Sequence, residues 1–577
     1  MAYAKKVVAV GLEPAYTVDD GDTFVAQAMA EANADFTILP ITQPTAHTTA
    51  GGYLALSDVV IKSATSAYCI LGSTASWTPD NVDLVAQQVE YGEHIGLRRV
   101  LAPLSEPLVD YARSLMVLLQ KGDAPVVVRL AAHEWRKWNR VRMMCGHNSR
   151  LQVALDLDSD PELSLEQWRA EPVQLAIVAE ALFIRNAAGF PVLWRGHQAA
   201  VQQMMAIGAA VAVRCGANAN SGDHVEYIRH LAAPKDLDAD SAASEAYHDV
   251  LQVPLQPLMD HLDADTYATF EADLPKYDAY ERALARALSD LTKPEILLMV
   301  VGAGRGPLVT RALTAARASS ARVRVVAVEK NPGAMVALQQ RNVSEWRGEV
   351  TLVHADMRSW QPAERADILV SELLGSFGDN ELSPECLNAA VCSLLCDGGI
   401  CIPRAYTAYA APMSSTLLHR RAAEYAAESH TKYSLETPYV VNIHAARLLA
   451  EAQPLWTFDH AAAESQRFCR SATADFDVCA TAPDSVVHGL AGYFDAELYA
   501  DVRLSICPST HTPDMHSWFP MYFPLRQPLA ADAGARISVH MWRQCSDART
   551  WYEWAVETPA ATSGIHNANG HQYWIGQ

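Results

Sequence analysis

Short apolar runs alternate with amphipathic segments through the first half of the chain. Val7–Val10, Phe36–Leu39, Val59–Ile61, Val126–Val128 and Val211–Val213 read as strands, too short for helices and rich in β-branched residues. Between them, segments such as Thr23 to Ala32 and Leu108 to Gln120 repeat apolar residues at i, i+3 and i+4, the stripe of a helix that covers a sheet. Repeated βα units over residues 1–245 predict an α/β barrel or a doubly wound sheet, and the length suits a TIM-like barrel. This half shows no glycine-rich phosphate loop, no repeat beyond the βα rhythm and no acid–base constellation. His133 and Trp135 in AAHEWRKW fit packing and surface roles. The domain reads as a scaffold or docking module, with the polar, acidic stretch Pro234–Ser244 as an exposed link.

The pattern changes over residues 246–405. Tyr267 and Phe270 lie three apart on one side of an amphipathic stretch, and a helical pattern runs from about Tyr277 to Leu291. The continuous apolar strand Ile296–Val301 then meets Gly302-Ala-Gly304-Arg305-Gly306-Pro307 and a helix through about Ala316. Strand, glycine turn and helix are the first half of a nucleotide-binding βαβ unit, in which the glycines let backbone approach a ligand. NAD, FAD and S-adenosylmethionine sites all use such turns. The next strand, Val323–Val328, ends in Glu329, where an acid accepts hydrogen bonds from ribose hydroxyls. A third, Val350–Val353, ends at His354-Ala355-Asp356-Met357; there an acid accepts from the adenine amino group and a methionine packs on the ring. Acids after both strands favour S-adenosylmethionine over a dinucleotide.

A fourth strand, Asp367–Val370, runs into SELLGSFGDNELSPE, residues 371–385. Two carboxylates, Glu372 and Glu381, flank a loop of turn formers, and Ser383-Pro384 reads as a helix cap with proline at the first helical position. That helix is expected to run to Cys396 and stop at Asp397-Gly-Gly399, before a short strand Ile400–Ile402. A carboxylate pair past the end of a parallel strand suits a cationic ligand. Their mutual repulsion should raise one pKa in the empty site, offset if the helix dipole points at Glu381.

Residues 406–577 open with a helical segment near 415–435. Alternating, aromatic-rich runs follow: Val486–Phe494, Val502–Ile506, Ile537–Trp542 and Trp551–Val556. Their spacing predicts an antiparallel β-barrel or sandwich. The loop His511–Pro520 carries an exposed-looking Trp518.

Charge narrows the partners. The net charge of −21 opposes nucleic-acid binding, which needs a basic face, and suits a basic protein partner. The eleven cysteines are scattered without metal-ligand spacing, so free thiols and no metal are expected. No signal peptide or membrane-length apolar stretch stands out, so the cytoplasm or nucleus is the expected location.

In order, GAGRGPLV, AVEKNP, HADM, SELLGSFGDNELSPECL, HGLAGYF, HSWFP and WYEWAV resemble the type II protein arginine methyltransferases, which make symmetric dimethylarginine. The resemblance spans essentially the whole chain. It implies a TIM-like barrel, a Rossmann-like domain binding S-adenosylmethionine (leaving S-adenosylhomocysteine) and a C-terminal β-barrel with a dimerisation arm at about 415–435. It implies that Tyr267, Lys276, Tyr277, Gly302, Gly304, Arg305, Gly306, Glu329, Asp356 and Met357 bind the donor, with Lys276 and Arg305 suited to its α-carboxylate. Glu372 and Glu381 would be the catalytic pair. Phe270 resembles a phenylalanine that crowds the second-methyl position. Ser517, before Trp518, stands where asymmetric-type relatives carry histidine. Arg/Gly-rich or histone-like substrates, a homodimer or larger homo-oligomer and a WD-repeat adaptor are further implications. Gly378 stands where better-known members carry alanine, and His516 replaces an aromatic residue.

Three other readings set the contrast. A methyltransferase acting on an amino base would carry Asn/Asp-Pro-Pro-aromatic after the fourth strand, where SELLG stands. A scaffold with a decayed enzyme domain would have lost the four acids. An NAD oxidoreductase would differ in thermal-shift response to the two cofactors.

Overall fold

The computed structural model describes residues 8–14, 29, 32–41, 69–78, 80–97, 99–121, 125–157, 159, 165–216, 221–233, 247–428, 434–460, 468–478 and 484–577. The expected strand Val59–Ile61, nearly all of the Thr23–Ala32 segment and the Pro234–Ser244 link lie outside them. The chain forms two compact units. One comprises Met1–Tyr247, Ser415–Leu417 and His444–Arg447; the other comprises His248–Ser414, Leu418–Ile443 and Leu448–Gln577. No helix among the described residues is long and apolar enough to cross a membrane.

In the first unit, eight parallel strands close into a ring. They are β1 (Val10–Pro14), β2 (Phe36–Pro40), β3 (Cys69–Ser73), β4 (Val100–Pro103), β5 (Val126–Ala131), β6 (Leu151–Asp156), β7 (Val173–Ala179) and, after a small hairpin of β8 (Phe183–Arg185) and β9 (Pro191–Leu193), β10 (Ala210–Cys215). Of the two architectures the pattern allowed, the closed barrel is the one formed. The helix Leu108–Lys121 packs where its apolar stripe predicted. Strands β6 and β7 are nearly continuous in burial, yet Gln152 and Gln174 interrupt their apolar runs and hid them in the sequence.

Aliphatic side chains and one aromatic ring fill the lumen: Phe36, Ile38, Leu71, Leu101, Val127, Ala154, Leu175, Ile177 and Ala212. Glu13, Arg129, Asp156 and Arg214 continue the same strand faces toward the carboxyl ends, as period-2 alternation requires. There they form a charged plug. Arg129 donates from Nη2 to Glu13 Oε2 at 2.9 Å and from Nε to Asp156 Oδ2 at 2.9 Å. Because β5 and β1 stand opposite each other in the ring, the Arg129–Glu13 pair crosses the lumen. Arg214 Nε lies 3.2 Å from Glu13 Oε2 and also pairs with Asp156.

The second unit contains a five-stranded sheet in the order β13 (Val350–His354), β12 (Arg322–Glu329), β11 (Glu295–Val301), β14 (Ala366–Val370), β15 (Leu395–Ile402), all parallel. The first strand sits mid-sheet with the second and fourth on either side, so the chain reverses direction of travel between β11 and β14. Open sheets of this kind bind ligands in the crevice at that point. Two expectations at the end of the sheet are corrected. The helix after the acid loop is Ser383–Leu394, not one reaching Cys396, and β15 follows at once. Gly398 and Gly399 lie inside β15, at the place where its register with β14 shifts, so they serve a bulge rather than a helix stop.

The chain continues through β16 (Ala405–Ser414), the helix Thr416–Glu428, and the short strands β17 (Tyr439–Val440) and β18 (Arg447–Leu448). Next come β19 (Gln453–Asp459), β20 (Arg470–Asp477), β21 (Ser485–Tyr499), β22 (Val502–Ser505), β23 (Met521–Ala531), β24 (Arg536–Cys545), β25 (Arg549–Glu557) and β26 (Ile575–Gly576). Antiparallel pairing links β17, β23, β21 and β16, with β19 along β16 and β22 along β21; a second sheet runs β20, β24, β25, β26. The antiparallel expectation for this region holds.

Candidate active site

Gly302, Gly304 and Gly306 all take positive φ, at 68°, 53° and 95°. A side chain at Gly304 would start 3.0 Å from the Tyr267 ring, and one at Gly306 would run into Trp346. Glu329 is buried at the end of β12, accepting from the Gly304 N–H at 2.7 Å and the Asn331 N–H at 2.6 Å. Each of those oxygens keeps a second lone pair. Asp356, past β13, is gripped by the Arg358 guanidinium, with Nη2 at 2.8 Å, and by the Arg358 N–H at 2.9 Å. Burial opposes its ionisation, but these bonds hold it below the usual carboxylate range. Met357 reaches the surroundings of Gly302.

Tyr267 and Phe270 lie on the short helix Ala264–Glu271, capped by Asp263, whose carboxylate accepts from the Thr266 N–H. Arg305 is tied to that helix. Its Nη1 donates to the Ala264 carbonyl at 2.8 Å and its Nε lies 3.2 Å from Glu271. Lys276 and Tyr277 begin the next helix, Leu274–Asp290, and both are buried. Lys276 is committed differently from expectation: its Nζ donates to Glu372 Oε2 at 3.2 Å. It also lies 5.2 Å from the centroid of Phe270 and 4.8 Å from those of Tyr277 and Trp518. Aromatic faces stabilise a buried ammonium.

The acid loop is rigid by construction. Phe377 N–H donates to Asn380 Oδ1 at 2.7 Å, and Gly375 and Gly378 bridge each other. Gly378 has φ +81° and faces Tyr406 closely, so an alanine there would be strained and crowded. The helix cap differs from the sequence reading. Leu382, in the left-handed region at φ 64°, precedes the first helical residue Ser383 and makes no side-chain cap bond. Ser383 Oγ instead donates to the Tyr406 hydroxyl at 2.6 Å.

Glu372 and Glu381 then stand unequally supported. Glu372 accepts from Lys276 and from the Leu374 N–H at 3.2 Å. Glu381 accepts no hydrogen bond among the described residues. Enclosure by protein, then the Glu372 charge, push its carboxyl up to about 8, with Lys276 opposing. The expected pKa conflict between the two acids is therefore present, and it falls on Glu381. No group of His, Cys, Asp or Glu among the described residues is arranged to hold a metal.

Trp518 is buried rather than exposed, its Nε1 donating to the Leu374 carbonyl at 2.7 Å. The indole thereby hangs on the residue two positions after Glu372. Ser517 N–H donates to Asp273 Oδ2 at 2.7 Å. All the residues expected at the site thus fall within the second unit.

One cluster escaped sequence reading. Asp379 and Glu385, on either side of Glu381, are pinned by a single fully buried arginine, Arg543 of β24. Its Nε lies 3.2 Å from Asp379 and its Nη2 2.9 Å from both Glu385 oxygens. Trp456 Nε1 adds a bond to Asp379 at 2.6 Å, and the Tyr552 hydroxyl adds another. The one visible signal was an arginine within the aromatic run MWRQC.

Known proteins match the chain along most of its length. A family model described as PRMT5 TIM barrel domain matches residues 33–234, PRMT5 arginine-N-methyltransferase matches 238–402, and PRMT5 oligomerisation domain matches 405–575. The protein arginine N-methyltransferase 5 of Oryza sativa subsp. japonica is 38% identical over 94% of this chain and 94% of its own length. That of Xenopus laevis is 39% identical over 77% of this chain and 71% of its own. The protein arginine N-methyltransferase skb1 of Schizosaccharomyces pombe is 36% identical over 85% of each. The chain belongs to the PRMT5 family of protein arginine N-methyltransferases.

Proposed function

We propose that Glu372 and Glu381 clamp the guanidinium of a substrate arginine, and that the enzyme transfers methyl groups to it from S-adenosylmethionine, ending at symmetric dimethylarginine. The observation that carries this reading is an acid pair beside a glycine turn in which Lys276 pairs with Glu372, while Glu381 has no hydrogen-bond partner among the described residues. A guanidinium offers five N–H donors in one plane and supplies the missing partner.

The donor fits the turn. Gly302, Gly304 and Gly306 keep the backbone clear, Glu329 has lone pairs left for ribose hydroxyls, and Asp356 with Met357 suits an adenine edge and face. Tyr267 and Tyr277 add apolar walls, and Arg305 a cation near the turn. When bound, S-adenosylmethionine supplies an electrophilic methyl group on a sulfonium.

The protein's own part is positional and electrostatic. The clamp draws the guanidinium's charge toward the held nitrogens and leaves the free terminal nitrogen richer in electrons. Entry of the cation lowers the Glu381 pKa and ionises it. After transfer a proton must leave. Glu381, whose carboxyl lies near 8 in the empty site, is the better acceptor of the two. Phe270 and Ser517 set which nitrogen is methylated second. The family match over 405–575 supports assembly of several copies, for which we place the contact arm within 415–435. The net charge of −21 favours Arg/Gly-rich or histone-like substrates.

The test is methyl transfer from tritiated S-adenosylmethionine to an Arg-Gly-rich peptide and to histone tails, with product analysis. Glu381→Gln is expected to abolish transfer while S-adenosylmethionine affinity stays nearly intact. Normal turnover by that variant would sink the clamp. Replacement of Phe270 by a smaller residue should change the proportions of mono-, symmetric and asymmetric product by mass spectrometry.

A further inference from the structure

We infer that Asp273 is a positioning residue for product choice: it holds the Ser517–Trp518 loop against the segment that carries Phe270 and Lys276. This rests on the reading of Phe270 and Ser517 given above. Asp273 occupies the joint between the helices Ala264–Glu271 and Leu274–Asp290. An aspartate at that position ordinarily caps the second helix, yet this one makes no side-chain cap bond. Its fully buried carboxylate points to a distant segment instead. Oδ2 accepts both the His516 N–H at 3.0 Å and the Ser517 N–H at 2.7 Å.

The other oxygen makes the arrangement conspicuous. Asp273 Oδ1 is buried without a hydrogen-bond partner, as is Ser517 Oγ, and His516 Nδ1 lies 3.9 Å from that oxygen. A buried acceptor left unmade is unfavourable. The residue therefore gives up local stability for a fixed crosslink between two walls. Phe270 lies three residues before Asp273 and Lys276 three after. Trp518 follows Ser517 directly, and the Phe270 and Trp518 rings both lie over Lys276 Nζ.

The two walls are held by separate bonds, which makes the role separable. Trp518 is also tied to the Leu374 carbonyl at 2.7 Å, on the acid loop. Without Asp273 the indole keeps that anchor beside Glu372, while Phe270 loses its fixed distance from it. Methyl transfer then continues with a looser limit on the second methyl, because selection between two nitrogens of one guanidinium depends on small displacements.

Asp273→Ala, Asp273→Ser and Asp273→Asn test this with mass-spectrometric product ratios, total turnover and melting temperature. Asp273→Ala should lower the ratio of symmetric to asymmetric dimethyl product by roughly fivefold. Asp273→Asn keeps an oxygen for both N–H groups and should restore the wild-type ratio. If Asp273→Ala does not fold, Asp273→Ser, whose shorter side chain reaches at most one N–H, should still give an intermediate ratio. A purely structural role would reduce folded protein and turnover but leave the ratio unchanged, and that result overturns the inference. If the ratio is fixed in the Asp273 variants but moves when Phe270 is made smaller, only the Asp273 role fails. If neither moves it, the Phe270 reading fails as well.

Discussion

The barrel plug and the acid loop are both clusters of carboxylates at or just past the ends of parallel strands, and they are wired in opposite ways. In the plug, two arginines face two acids and the charges cancel. Arg129 alone bonds to Glu13 and Asp156, and Arg214 meets the same two acids. Nothing is left over for a ligand. In the acid loop, one lysine serves Glu372, and Glu381 has no hydrogen bond among the described residues and a raised pKa. TIM barrels usually place catalysis at the end of the barrel that is neutralised here. Position in a fold thus offers a site, and a carboxyl left without a partner marks the one that can take a ligand.

The largest expected effect separates the two clusters by activity. Glu381→Gln and Glu372→Gln should each lower turnover at least 10²–10³-fold, as loss of a group aimed at transition-state charge does. Asp156→Asn should leave turnover per folded molecule unchanged. Turnover measured with tritiated donor, normalised to folded protein by circular dichroism, decides it. A comparable loss in Asp156→Asn would mean that the neutral plug is a functional site after all.

Next come the internal locks, where stability rather than rate should respond. Arg543→Met strands Asp379 and Glu385 in the interior and should cost about 3–5 kcal/mol by denaturant titration, because both acids lose the cation that pairs them. Arg129→Met should cost toward the lower end of that range, since water reaches the plug's rim. Arg214 is 42% exposed, and Arg214→Met should change stability by no more than about 1 kcal/mol. If Arg214→Met proved the worse of the two barrel variants, the lumen-crossing Arg129–Glu13 pair would not be the plug's keystone.

Legibility in sequence followed the distance between partners. The strand Ile296–Val301 with its glycine turn, Glu329 after β12 and Asp356 after β13 lie in continuous motifs, so local pattern found them. Glu372 and Glu381 lie in one motif too. Strands β6 and β7 were missed because a glutamine inside each broke the apolar run that marks a buried strand. Trp518 looked exposed because its partner, Leu374, is 144 positions away. Asp273 drew no sequence reading for the same reason, its acceptor role reaching 243 and 244 positions along the chain. Arg543 was one charge in an aromatic strand, and only the tertiary fold shows that it holds the residues on both sides of Glu381.

The effect confined to one pH window is the most specific to the comparison, because it reads the unpartnered carboxyl directly. A free glutamate titrates near 4.5, and folded Glu381 near 8. Between those values the native state holds a proton that the unfolded chain has released, so rising pH favours unfolding across this window. Below about 4.5 both states are protonated, and above about 8 both are ionised, so the effect is flat outside it. Glu381→Gln removes the titration. Its melting temperature, measured without substrate or donor, should match the wild type near pH 5, rise above it progressively to pH 8, and hold a constant advantage beyond. Glu372→Gln, which removes the neighbouring negative charge but not the burial, should recover only part of that advantage. Asp156→Asn, which breaks the pairs with Arg129 and Arg214, should instead lower the melting temperature. A pH-independent difference between Glu381→Gln and wild type would show that Glu381 is as well compensated as the plug, and the contrast between the two clusters would fall.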